Sequence, residues 1–298
     1  MTAGAQLLCG AALDLTLGDP RWLPHPVRGM GWLIVRLEPV CRRLPLYLGG
    51  VVLWLLVVGI SAGVVWLTLP WLAIFWIWTF LAVRDLDVQA MRVIVALRDG
   101  DVAAARERLS MIVGRDTAAL DEPEILRATV ETVAESLCDG IVGPLFYLAL
   151  GGPAAMAAFK AASTLDSMCG YRDERYREFG WASARFDDVA NYVPARLSVL
   201  FVALGAWLLG YDARGALRCA WRDGRSQPSP NSGYPEAAMA GALGVRLGGL
   251  NYYRGVPSAK ATLGDALRPL SLEVFTGARQ LLYATSALAV LLVWSVSR

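Results

Sequence analysis

From Leu44 to Val83 the chain runs for forty residues without a charge, and Arg43 and Arg84 close the run at its two ends. At about 1.5 Å per helical residue and about 30 Å of hydrocarbon per crossing, that length predicts a helical hairpin passing a bilayer twice. Its only non-aromatic polar side chains are Ser61, Thr68 and Thr79. Backbone in lipid must satisfy its own hydrogen bonds, which leaves helices or closed barrels. Apolar residues elsewhere run continuously or at helical spacing, and alternation is rare. The predicted class is therefore all-α: one multi-pass integral membrane domain over 1–298, with broken or re-entrant helices and amphipathic surface helices.

Composition agrees, with 56% hydrophobic residues, 18% charged and a mean hydropathy of +0.44. A net charge of only +2 without a basic block predicts no nucleic-acid partner. Cys9, Cys41, Cys138, Cys169 and Cys219 stand alone with no C-x-x-C pair, which predicts reduced, mostly buried thiols. The start lacks the basic residues of a secretory signal and Asp14 interrupts its apolar run, so no cleaved leader is expected.

The hairpin of 44–83 is followed by a cytoplasmic helical segment at 84–139. Broken or short membrane helices follow at 140–211, a polar Gly/Pro-containing segment at 212–279 and a final crossing at 280–297. Residues 1–17 suit another short helix, and Arg222–Pro235 is the most linker-like stretch. Gly151-Gly152-Pro153 interrupts the apolar run of 140–159, so this segment is expected to dip into the membrane and return. Two ordinary crossings would fit by length as well. If 44–83 goes out and back, the Arg-containing 18–43 and 84–139 share a side, which the positive-inside rule makes cytoplasmic.

The polar strings carry the chemistry. After Pro123, Leu126, Val130, Val133 and Leu137 form an apolar stripe, and Glu124, Glu131, Glu135 and Asp139 stack on the opposite face. Stacked like charges repel, and such carboxylates suit Mg²⁺, which takes one or two of them plus substrate phosphates. They read equally as a solvated acidic face. Lys160, Thr164, Ser167 and Tyr171 share a helical face that could meet a phosphate, or Lys160 could snorkel at a membrane edge. Asp187 and Asn191 stand one turn apart before Pro194, either as a further part of a metal–phosphate site or as ordinary surface. Arg115, in a turn at 114–117, could grip an anion or belong to a cap. Asn231-Ser232-Gly233-Tyr234-Pro235-Glu236 opens a helix whose free N–H groups can hold an anion. Gly241, Gly244, Gly248 and Gly249 read as close packing, since neither a P-loop nor a Rossmann fingerprint is present. His25, the single histidine, lies between Pro24 and Pro26 in a stiff extended segment, suited to packing or to substrate contact.

Five ordered strings carry a resemblance: LGDPRWLPHPVRGMG, GRDTAALDEPEILRATVETVAESLCDGIVGPLFY, KAASTLDSMCGYR, FGWASARFDDVANYVPARL and PNSGYPEAAMAGALGVRLGG. Over roughly 10–255 the chain resembles the CobD/CbiB family, the membrane-bound adenosylcobinamide-phosphate synthases. The resemblance implies an ATP-dependent ligase in the inner membrane with its site on the cytoplasmic side. It would join an amino alcohol, an aminopropanol taken as its O-phosphate, to a propionate of the corrinoid adenosylcobyric acid, with Mg²⁺ as metal. Under that reading Lys160 and Arg115 stabilise the transferring phosphoryl group and Asp166 takes the amine proton. Glu131, Glu135, Asp139, Asp187 and Asn191 hold the metal. Substrate contacts fall to His25, Arg28, Thr164, Ser167, Tyr171, Arg172, Arg185, Asn231, Glu236 and Arg246. Membrane lipid is an expected partner, and a homo-oligomer stays open. Competing expectations are a Mg-dependent transferase of lipid diphosphates and a non-enzymatic AmpE-like regulator. A transporter is disfavoured by the few polar residues in the long run.

Overall fold

The structure, a computed structural model, describes residues 1–20, 22–171 and 173–297. In chain order the helices begin with α1 (Ala3–Leu17), α2 (Pro26–Cys41), α3 (Leu46–Phe80), α4 (Val83–Arg98), α5 (Val102–Ser110) and α6 (Glu122–Leu137). A π-turn at Cys138–Val142 leads into α7 (Gly143–Cys169), α8 (Trp181–Ala190), α9 (Tyr192–Leu209), α10 (Ala213–Asp223) and α11 (Gly233–Leu243). A hairpin of β1 (Leu247–Tyr253) and β2 (Val256–Leu263) precedes α12 (Leu272–Val296). The expected all-α membrane class holds. By length and composition Leu46–Arg98, Glu122–Cys169, Tyr192–Leu209 and Leu272–Val296 each contain a stretch able to cross a membrane. The antiparallel pair was not expected; Arg254 and Gly255 turn it with positive φ (53° and 78°).

The chain forms two compact units, residues 1–82, 139–194 and 290–298 in the first, and 83–138 and 195–289 in the second.

In the first unit, the predicted hairpin of 44–83 is instead one continuous 35-residue helix, α3. Pro70 lies inside it, and Trp76 Nε1 donates to Thr68 Oγ1 at 2.9 Å across that position, so the helix bends at Pro70 while its backbone stays helical. The inference that 18–43 and 84–139 share a side rested on that reversal and lapses with it. Glycines set the packing of α3. A Cβ at Gly50 would lie 2.0 Å from the Phe179 carbonyl oxygen, and one at Gly10 of α1 would lie 2.6 Å from Ile77. The predicted break in α7 is present, with Gly151 and Gly152 leaving helical geometry (φ −151° and 69°). Tyr147 and Phe159, twelve positions apart, stack with ring centroids 5.0 Å from each other. In an unbroken helix they would be about 18 Å apart along the axis. The segment therefore turns back on itself, as expected. Glu38 of α2 is buried and receives Arg42 (2.8 Å), Arg175 (3.0 Å) and the Tyr176 hydroxyl (3.3 Å). Burial pushes its carboxyl up, but the two guanidiniums outweigh this and hold it below the usual carboxylate value.

In the second unit, Val93, Ala96, Ala105, Leu109, Leu120, Ile125 and Ala128 build a core from α4, α5 and α6. The α6 start is a reciprocal cap: Asp121 accepts the Glu124 N–H at 2.9 Å and Glu124 accepts the Asp121 N–H at 3.0 Å. The predicted stripe of Leu126, Val130, Val133 and Leu137 is buried throughout. α10 and α11 touch backbone to backbone, since a Cβ on Gly241 would lie 2.2 Å from the Gly215 carbonyl oxygen. That is the close packing read from the glycines. On α4, buried Asp87 takes a two-pronged contact from Arg279 of α12 (2.5 and 2.9 Å) and the Tyr283 hydroxyl at 2.7 Å. Arg222–Pro235 is not a linker: Gln227 and Asn231 are buried within it.

Candidate functional site

Each unit holds one group of charged side chains that contains residues singled out from the sequence. In the first, Lys160 projects from the returning half of α7, part-buried, with Nζ 3.4 Å from the Asp139 carbonyl oxygen. The carboxylates of Asp139, Asp19 and Asp187 lie within electrostatic range of it. They arrive from the π-turn, the connection after α1 and α8. Asp187 Oδ2 accepts from Asn191 Nδ2 at 3.1 Å, the one-turn pairing the spacing predicts. Tyr147 lies within range of Asp187, and its hydroxyl donates to the Ala190 carbonyl at 3.1 Å.

His25 caps α2, its Nδ1 accepting the Val27 N–H at 3.3 Å while Nε2 sits 3.3 Å from Asp19 Oδ1. Arg28 donates to the Leu23 carbonyl. Both residues thus order the segment that carries Asp19. Thr164 donates to the Lys160 carbonyl at 2.7 Å and Ser167 to that of Ser163 at 2.9 Å, so both hydroxyls are tied to their own helix. α7 ends at Cys169, which takes Tyr171 off the predicted face. Asp166, six residues beyond Lys160, falls about 240° around the helix from it. Arg172 lies outside the described residues. Arg185 is exposed, 3.8 Å from Asp188.

The second unit treats its acids differently. Glu131 is buried rather than on a solvated face, with Arg115 Nη2 at 2.6 Å, Arg127 Nη1 at 3.2 Å and the Gly248 N–H at 2.7 Å. Arg115 also donates to Asn251 Oδ1 at 2.8 Å, and Arg127 to the Gly248 and Leu250 carbonyls. These contacts pin α6 to β1 and use up the Glu131 carboxylate, which corrects its assignment as a metal ligand. Arg115 is likewise buried in the pair rather than presented as an anion grip. α6 ends at Leu137, and Asp139 lies in the π-turn that follows. Among the described residues, no three His, Cys, Asp or Glu side chains are grouped so as to hold a metal ion.

Glu135 is exposed, and with Glu131 it acts on Glu236, which α11 buries. Burial is the main cause, and the two neighbouring carboxylates add to it, holding the Glu236 carboxyl well above the ordinary value. Lys260 of β2 faces Glu236 and Glu135; burial disfavours its charge, but those carboxylates prevail and raise its pKa. Asn231 is buried and accepts from Arg196 Nη1 at 3.1 Å, whereas Arg246 is exposed.

Comparison with known proteins decides the family. The profile described as CobD/Cbib protein matches residues 7–282. The chain belongs to the CobD/CbiB family. A relative from Geobacter metallireducens, the cobalamin biosynthesis protein CobD, is 52% identical over 97% of this chain and 95% of its own. Its counterpart from Klebsiella pneumoniae is 47% identical over 94% and 93%. The cobalamin biosynthesis protein CbiB of Salmonella typhi is 45% identical over 94% and 93%. No solved structure matches the chain. In this CobD/CbiB member, sequence reasoning passed over Asp19, Tyr147, Arg127, Asn251 and Lys260. The rarity of lysine, at positions 160 and 260 only, was the available signal for the last.

Proposed function

We propose that this chain is an ATP-dependent amide ligase of cobalamin biosynthesis, joining an aminopropanol O-phosphate to a propionate of adenosylcobyric acid. Family membership and the names of the relatives support the pathway. The observation that carries the chemistry is Lys160 set among Asp19, Asp139 and Asp187. A carboxylate does not acylate an amine in water without activation. A propionate oxygen attacks the γ-phosphorus of ATP, the bond to the β-bridging oxygen breaks, and ADP leaves. The amine nitrogen then attacks the acyl carbon of the mixed anhydride, the carbon–oxygen bond breaks, and phosphate departs with the electron pair.

Lys160 would stabilise charge on the transferring phosphoryl group, the kind of preorganised contact that dominates such reactions. The proton lost by the amine would pass to a carboxylate beside Lys160 rather than to Asp166, which the helix turns away. The oxygen-only donors of this group fit Mg²⁺, which Asp139 and Asp187 would hold with phosphate oxygens completing the shell. When bound, Mg²⁺ would neutralise triphosphate charge. His25 and Arg28 would order the Asp19 segment. The site would face the cytoplasm across the inner membrane, where ATP is available.

Purified protein in detergent, given adenosylcobyric acid, ATP, Mg²⁺ and aminopropanol phosphate, should yield a corrinoid heavier by the condensed amine, with ADP formed in equal amount. An unchanged corrinoid mass, or product without ATP consumption, ends the proposal.

A further inference from the structure

The second unit opens a cleft of about 810 Å³ between α9, α10 and the start of α11. Among the described residues its charged lining is all arginine: Arg196, Arg218, Arg222 and Arg225. Arg222 is paired with Asp223 at 2.7 Å and Asp265 at 3.0 Å, and Arg218 lies 4.0 Å from Asp212, all three acids outside the lining. The other two cations contact the ring and hydroxyl of Tyr234. Arg196 donates to Asn231 and lies 4.3 Å over the Tyr234 ring, and Arg225 Nε donates to the Tyr234 hydroxyl at 3.1 Å. Burial alone would raise the Tyr234 hydroxyl, yet Arg225 and Arg196 pull it below the usual phenol value, a mark of positive potential.

The rest of the lining is apolar, and much of it faces outward. Leu200, Leu217 and Trp221 are 57%, 45% and 88% exposed. α10 buries Gly215, Ala216, Cys219 and Ala220 and turns Leu217 and Trp221 out among Arg214, Arg218 and Arg222. α9 has the length and composition of a membrane span, and Arg196 sits in its second turn. Beyond Leu200, the exposed Leu204, Trp207 and Leu208 continue the apolar wall along that span. We propose that this cleft seats the phosphate headgroup of an anionic phospholipid, the arginines holding the phosphate while acyl chains lie along α9. A water-soluble phosphate compound would gain nothing from the outward Leu and Trp wall. A lipid uses both parts, and exposed Trp beside Arg is the usual dress of the bilayer–water boundary.

The test uses full-length protein in detergent, exposed to mixed micelles of phosphatidylglycerol and phosphatidylcholine and read by native mass spectrometry. Wild type should retain phosphatidylglycerol over phosphatidylcholine on the order of tenfold, as expected for two or more arginines near a headgroup. Arg218→Ser with Arg225→Ser, both exposed positions, should bring the ratio near unity with the unfolding temperature kept. Trp221→Ser should weaken both lipids alike. Equal retention by wild type overturns the proposal, as does an undiminished preference in the double variant. Displacement of phosphatidylglycerol by inorganic phosphate or ATP overturns it too, making the cleft a site for free anions.

Discussion

Glu131 and Lys160 are both charged residues drawn into the protein, and they differ in the groups that meet them. Glu131 meets two guanidiniums and a backbone N–H, so its group closes on itself and joins α6 to β1. Lys160 meets one carbonyl at 3.4 Å and lies in the field of the Asp139, Asp19 and Asp187 carboxylates. The first arrangement is what a scaffold needs. The second sets an ammonium among carboxylates, the arrangement on which the proposed phosphoryl transfer rests.

Substitution should separate the two roles. Glu131→Ala strands Arg115 and Arg127 in a buried setting and should lower stability by about 3–5 kcal/mol, read from thermal unfolding in detergent. Replacing Glu131, Arg115 and Arg127 together with Met should restore much of that loss. Lys160→Ala should leave unfolding nearly unchanged while turnover falls on the order of 10²–10³-fold, about 3–4 kcal/mol of barrier. If Lys160→Ala unfolds the protein and Glu131→Ala only slows it, the comparison is inverted. Gly152→Ala forces a Cβ onto φ 69°, ψ −166°, a region left almost wholly to glycine. About 1–3 kcal/mol of stability should go with it.

The smallest expected effect concerns pH. Glu236 is held protonated above the range where the unfolded chain has lost that proton, so folding takes up a proton there. Stability should fall as pH rises from the ordinary carboxylate value through the raised one. Glu131, Glu135, Lys260 and Arg115 are the charged groups acting on it. Glu236→Gln should flatten that part of the unfolding-temperature profile; a profile unchanged by the substitution would show that Glu236 is ionised throughout.

Helical membrane character was legible because uncharged length leaves few alternatives, and the break at Gly151-Gly152 because glycine before proline announces itself. The course of the chain through 44–83 was not. Length permits a helical hairpin as readily as one long helix, and only the backbone shows that the chain stays helical from Leu46 to Phe80. Helical spacing placed Asp187 beside Asn191 correctly, but the π-turn after Leu137 is invisible to a 3.6-residue count. The strand partner of Glu131 was hidden for another reason. Gly248 is 117 positions away, on a strand pair that carried little alternation.

The length of α3 has a consequence for the lipid around it. Its outward apolar side chains run from Leu46 to Leu72, while Trp76 to Phe80 are sheathed by the rest of the chain. At about 1.5 Å per residue the bare part covers about 40 Å, the depth of a bilayer with its headgroups. A thicker or thinner membrane therefore slides along one bare end of the rod, while the sheathed end keeps its grip on its neighbours.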